Sequence, residues 1–158
     1  MGDVTRLLGP ILGTIYYSRG DESFNELSLS ESALVAIREA GDLYNSGRRD
    51  HAFIEMFIEI EKVMKEISRL RQIPVGKPDA AGYVHALKEA GLVTECDMHI
   101  LNALRCYRNL AAHPTDEFQH AIADGLLILA IPMLSRLEAQ FEATGPQKTL
   151  GEDSSNAH

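Results

Sequence analysis

The sequence predicts an all-α protein, an antiparallel up-down bundle of about five to six helices. Three observations carry that expectation. Apolar residues return every third or fourth position along most of the chain, and the alternation of a half-buried strand never lasts more than a few residues. Helix-capping patterns also stand before the apolar stretches, with Gly or Pro after them.

Val4, Leu7, Leu8, Ile11, Leu12, Ile15 and Tyr16 have helical spacing, with Gly9-Pro10 breaking or restarting the helix at its middle. Residues 1–27 are therefore read as an N-terminal amphipathic helix and a polar connector. The bundle is expected over 28–144. Ser28-Leu-Ser-Glu31 has the capping-box pattern and opens a helix with Leu34, Ile37 and Tyr44 on one face, stopping at Gly47. Asp50 is expected to cap the next helix, whose Phe53, Met56, Phe57, Ile60, Val63, Met64, Ile67 and Leu70 form the strongest apolar stripe in the chain. After the loop 74–78, Asp79 opens a short helix with Tyr83 and Leu87 that ends at Gly91. Thr94-Glu-Cys-Asp97 is a second capping box, and its helix runs to about Ala112, before His113-Pro114. A long helix from about 116 to 143, with Pro132 as an expected kink, completes the bundle. Residues 145–158 read as a disordered polar tail.

Composition narrows the function classes. A length of 158 residues fits one domain, and 45% hydrophobic with 24% charged residues fits an ordinary globule. The formal charge of -8 argues against a broadly basic surface for nucleic acid or membrane, while leaving room for a local basic patch. The apolar run Gly125–Leu134 is too short for a bilayer core that takes ~20 residues. No secretory signal is evident at the start, so a cytoplasmic protein without membrane contact is expected. Cys96 and Cys106 form no C-x-x-C pattern. With His99 they suggest a metal site lacking an evident fourth ligand, so buried thiols and no metal or other cofactor are expected.

One helix reverses the sign of the chain. From Met98 to Thr115 there are two Arg, two His and no acid. With Arg108 at 0° and roughly 100° per residue, Leu110, Ala103, Tyr107, Ile100, Ala111 and Leu104 gather as a core face. Arg105, Asn109, Asn102 and His113 lie at about 60° to 140° on the same wheel. They are expected to join Arg108 in a polar arc opposite the core, interrupted by Ala112 and Leu101.

Arg108-Asn109-Leu-Ala-Ala-His113 resembles the R-N-x-x-x-H signature of the HEPN superfamily of helical-bundle proteins. Glu59-Ile-Glu-Lys-Val-Met-Lys-Glu66 on a long core helix, Lys88-Glu-Ala-Gly-Leu-Val-Thr94 before the motif helix, and a long helix directly after it are similar in layout. The resemblance covers roughly residues 30–142. It implies a metal-independent ribonuclease in which Arg and His of two protomers meet across a two-fold homodimer interface, as a toxin, stress-response or anti-phage defence component. A neighbouring-gene antitoxin or regulatory partner is a further implication. Thr115 stands two residues after His113, where toxins paired with nucleotidyltransferase antitoxins carry tyrosine.

The residue types suit that chemistry. An imidazole, ordinarily titrating near ~6.5, takes or gives a proton near neutrality, so His113 is the candidate acid or base. Arg108 keeps its proton and offers paired donors to phosphate oxygens. Asn109, four residues before His113, is placed to orient imidazole or substrate, making Arg108, Asn109 and His113 the catalytic candidates. Arg105 and Asn102 are the candidate substrate-binding residues. The competing expectation is a non-catalytic helical interaction, RNA-binding or regulatory module using the same arc.

Overall fold

The computed structural model describes residues 29–113 and 118–142, and these form an all-helical bundle. Its described helices are α1 (Glu31–Asn45), α2 (Arg49–Leu70), α3 (Ala80–Glu89), α4 (Glu95–Ala112) and α5 (His120–Glu142). The expected N-terminal helix and connector and the expected polar tail lie outside the described residues.

The apolar stripe of α2 makes it the centre of the bundle. Met56, Phe57, Ile60, Met64 and Ile67 are at most 1% exposed, and α2 packs against each of the four other helices. Leu70, expected on that stripe, is exposed because it stands at the last turn, beyond the helices that cover the rest. On α1 the small residues Ala33, Ala36, Ala40 and Gly41 accompany Ile37 and Tyr44 inward, which lets α1 approach α2 closely. Leu34 is only half-buried.

Two starts differ from the sequence expectation. Ser30, rather than Ser28, caps α1: its hydroxyl accepts from Ala33 N–H at 3.1 Å. Glu138 of α5 decides the choice, accepting from Ser30 N–H at 2.7 Å and from the Ser30 hydroxyl at 2.6 Å. Asp50 does not cap α2. The turn after Gly47 is so tight that the N-cap position falls on Arg48, and Asp50 lies within the first turn, accepting from His51 N–H. Asp79 and the Thr94/Asp97 capping box act as expected. The Gly82 N–H, Lys77 and, more weakly, Arg105 hold the Asp79 carboxyl below its ordinary range. Asp97 is buried and also receives Arg136 of α5 at 3.0 Å.

Three helices end in the same double hydrogen bond. Gly47 (φ 83°) and Gly91 (φ 73°) occupy the left-handed position after α1 and α3, as the sequence predicts. After α2 that position is held by Gln72 (φ 53°), with Gln72 N–H donating to Arg69 O and Ile73 N–H to Ser68 O. A side chain in this conformation is strained relative to glycine. Gln72→Gly is therefore expected to raise stability by about 0.5–1 kcal/mol, read as a higher urea midpoint with unchanged slope. Gly82 is required for a different reason: a Cβ there would lie 1.8 Å from the Lys77 carbonyl oxygen.

Helix α5 continues through Pro132 and contributes Ala123, Leu127, Ala130, Ile131, Met133, Leu134 and Leu137 to the core. Its span His120–Phe141 is long and apolar enough to cross a membrane by length and composition, a property shared by core helices of soluble proteins. Ile122 and Leu129 remain exposed on one side of it.

Candidate functional site

The site is built on the last two turns of α4. Aromatic rings fasten that end of the helix: Phe53 of α2 lies 6.2 Å from Tyr107, Tyr107 lies 5.9 Å from Phe118, and Phe118 meets the His120 ring edge-on at 5.2 Å. A packed aromatic run thus links the end of α4 to α2 and to the start of α5.

Helix α4 is rotated relative to the sequence expectation. Its buried residues are Asp97, Leu101, Leu104 and Ala111. On a helical wheel these surround the direction of Arg108 within about 60°. Leu101, expected to interrupt the polar arc, is fully buried, whereas Ile100, Ala103, Tyr107 and Leu110 of the expected core face are half-buried. Arg108 accordingly points toward the seam between α4 and α2 instead of away from the core. The same rotation turns Cys96 and Cys106 outward, so both thiols are exposed, not buried as expected.

Arg108 fits the seam because α2 receives it. Its guanidinium carbon sits 5.3 Å from the centre of the Phe57 ring, and one terminal nitrogen is 4.0 Å from Glu61 Oε2. Phe57 and Glu61 are one turn apart on α2, so the ring and the carboxylate present themselves on one face. The ring attracts the cation through its electron-rich face. The carboxylate balances the charge from beyond direct hydrogen-bond reach. Arg108 Nε is buried and has no hydrogen-bond partner. The Arg108 and Glu61 side chains are 32% and 35% exposed, so the charged ends remain in reach of solvent.

The other candidates surround this pair unevenly. Arg105, one turn earlier, is half-buried and likewise leaves Nε buried without a partner. Asn102 is half-buried, and Asn109 and His113 are exposed. His113 is the C-cap of α4, and the bond linking it to Asn109 is main-chain, His113 N–H to Asn109 O at 3.1 Å. About 140° of helix separates the directions of Arg108 and His113. Arg108 and Arg105 therefore share one edge of α4, while Asn109 and His113 project from its outer side.

Phe57 and Glu61 were not singled out as site residues from sequence. The trace they leave is an aromatic and an acid at i, i+4 on the core helix, a pattern that core packing also produces. Among the described residues no group of three His, Cys, Asp or Glu side chains converges as a metal site. The cleft of about 800 Å³ between the 71–79 loop and α3 is lined by Arg71, Lys77 and His85 among others, and by none of the five candidate residues.

No family model, curated protein or solved structure matches the chain.

Proposed function

We propose that the protein is a metal-independent endoribonuclease of the HEPN type, acting as a homodimer. The observation that carries this reading is Arg108: a guanidinium set over the Phe57 ring in a helix seam, on a side chain about one-third open to solvent. A core seam ordinarily takes an apolar residue, and a cation kept there on an aromatic support is suited to receive phosphate. Arg105, one turn away, adds a second cation on the same edge.

In the proposed reaction the RNA 2′-hydroxyl attacks the adjacent phosphorus and the bond from phosphorus to the 5′-oxygen breaks. One imidazole takes the 2′-hydroxyl proton, and a second, protonated imidazole gives a proton to the departing 5′-oxygen. Arg108 stabilises the charge gathering on the phosphate. Because Arg108 and His113 leave α4 in different directions, two copies related by a two-fold axis serve this chemistry better than one, with His113 of each chain in one of the two proton roles.

A second reading, a non-catalytic interaction module, draws support from exposed Ile122 and Leu129 of α5, which suit a protein partner. One experiment separates the two. Purified protein incubated with cellular RNA in chelator is expected to release fragments ending in 2′,3′-cyclic phosphate, and Arg108→Ala is expected to lose that cleavage while keeping its helical circular dichroism. Intact RNA after incubation with the wild type, or undiminished cutting by Arg108→Ala, would refute the nuclease.

A further inference from the structure

We propose that Glu61 is a built-in competitor for the RNA phosphate at Arg108, occupying the guanidinium in the free protein and giving way when RNA binds. This rests on the ribonuclease reading and adds to it a control of substrate entry.

The argument starts from the chemistry of the partners. A carboxylate and a phosphate present the same thing to a guanidinium: two oxygens sharing negative charge at a spacing that matches its paired N–H donors. Glu61 Oε2 lies 4.0 Å from an Arg108 terminal nitrogen, close enough for charge attraction and too far for a direct hydrogen bond. A carboxylate serving to fix an arginine in place would bind it at hydrogen-bond distance, as the Asp97 carboxylate binds Arg136 at 3.0 Å. Phe57, at 1% exposure, supplies the fixed support from below, so Arg108 keeps its place when the carboxylate moves. Both side chains are about one-third exposed, which leaves an RNA phosphate a path to the pair and the carboxylate a path into water.

Neighbouring charges do not provide Glu61 with another firm anchor. On α2, Lys62 turns instead to Glu59 at 3.7 Å and to the Ser32 hydroxyl at 2.8 Å, and Lys65, one turn on, is exposed. Facing it from α4 is Arg108, while the charge of Arg105, one turn earlier, acts on the Asp79 carboxyl. The pair is thus a loosely held one of the kind that contributes little in water, and its displacement is correspondingly easy.

The test is the affinity for a fluorescently labelled single-stranded 2′-O-methyl RNA, which the proposed 2′-hydroxyl attack cannot cleave, measured by anisotropy with wild type, Glu61→Gln, Arg108→Ala and the double variant. Glu55→Gln, elsewhere on α2, removes the same charge as a control. Glu61→Gln is expected to tighten binding by about two- to fivefold at low salt, a gain that shrinks at high salt. The gain is expected to vanish in the Arg108→Ala background and to be missing from Glu55→Gln. Weaker binding by Glu61→Gln would assign Glu61 to positioning Arg108 and overturn the proposal, as would an equal gain with Arg108 removed or from Glu55→Gln. Failure of every variant to bind RNA would overturn the ribonuclease reading itself, a result distinct from binding that ignores Glu61.

Discussion

Phe57→Ala is expected to destabilise the protein by about 3–5 kcal/mol, the range for removing a buried aromatic ring from a core. Phe57 is 1% exposed and lies on the central helix, in the same closely packed region as Met56, Ile60 and Leu104. Close packing leaves the neighbours little freedom to fill the space. The ring also lies under Arg108, so the substitution takes away the support of the site together with the packing. Phe57→Leu separates the two effects. Most of the buried volume is kept and the stability loss is expected to fall below that of Phe57→Ala, while the cation loses its aromatic face. Urea unfolding gives the first quantity and RNA affinity the second. A Phe57→Ala protein as stable as wild type would contradict the packing described for α2.

His113→Ala is expected to reduce RNA cleavage by about 10²–10⁴-fold, the contribution of one positioned acid or base. His113 is exposed at the end of α4, and its bond to Asn109 is made by its backbone, which alanine retains. Stability is therefore expected to change by no more than about 0.5 kcal/mol. RNA affinity is also expected to hold, because Arg108 and Arg105 provide the charge. Imidazole added to the solution is expected to restore part of the lost rate to His113→Ala and none to Arg108→Ala. Cleavage by His113→Ala at the wild-type rate would remove the residue from the mechanism.

These two expectations differ in how much of their basis the sequence contained. The α2 stripe, the glycines at 47 and 91, the Asp79 cap and the Thr94/Asp97 box follow from local rules, so the helices could be placed before any tertiary structure was known. The facing of α4 could not. Ile100, Ala103, Tyr107 and Leu110 form one apolar side and Leu101, Leu104 and Ala111 another beside it, so periodicity allows either to face the core. Arg108 weighed against the second choice, because a lone cation in a seam is unfavourable. What makes it acceptable, Phe57 and Glu61, lies on another helix. The start of α1 was ambiguous for a similar reason, since the carboxylate that favours Ser30 comes from the far end of the chain. Of the candidate residues, Arg105, Arg108 and His113 belong to the sign reversal, and Asn102 and Asn109 join them by their place on the helical wheel. Their division into an inward arginine and an outward histidine was not legible there.

That far-end carboxylate has a consequence during synthesis. Glu138 is 108 residues downstream of Ser30, so α1 leaves the ribosome long before the group that holds its cap has been made. At ~5–20 residues per second the delay is on the order of 5–20 s. The contact between buried Asp97 and exposed Arg136 is made late in the same manner, because Arg136 is also late. A nascent chain stalled before Arg136 holds Phe57 and Arg108 but neither the carboxylate that holds the α1 cap nor the guanidinium that meets Asp97. Shortening α5 by two turns removes both groups, so such a chain is expected to lose the clasp on α1 together with the Asp97 contact.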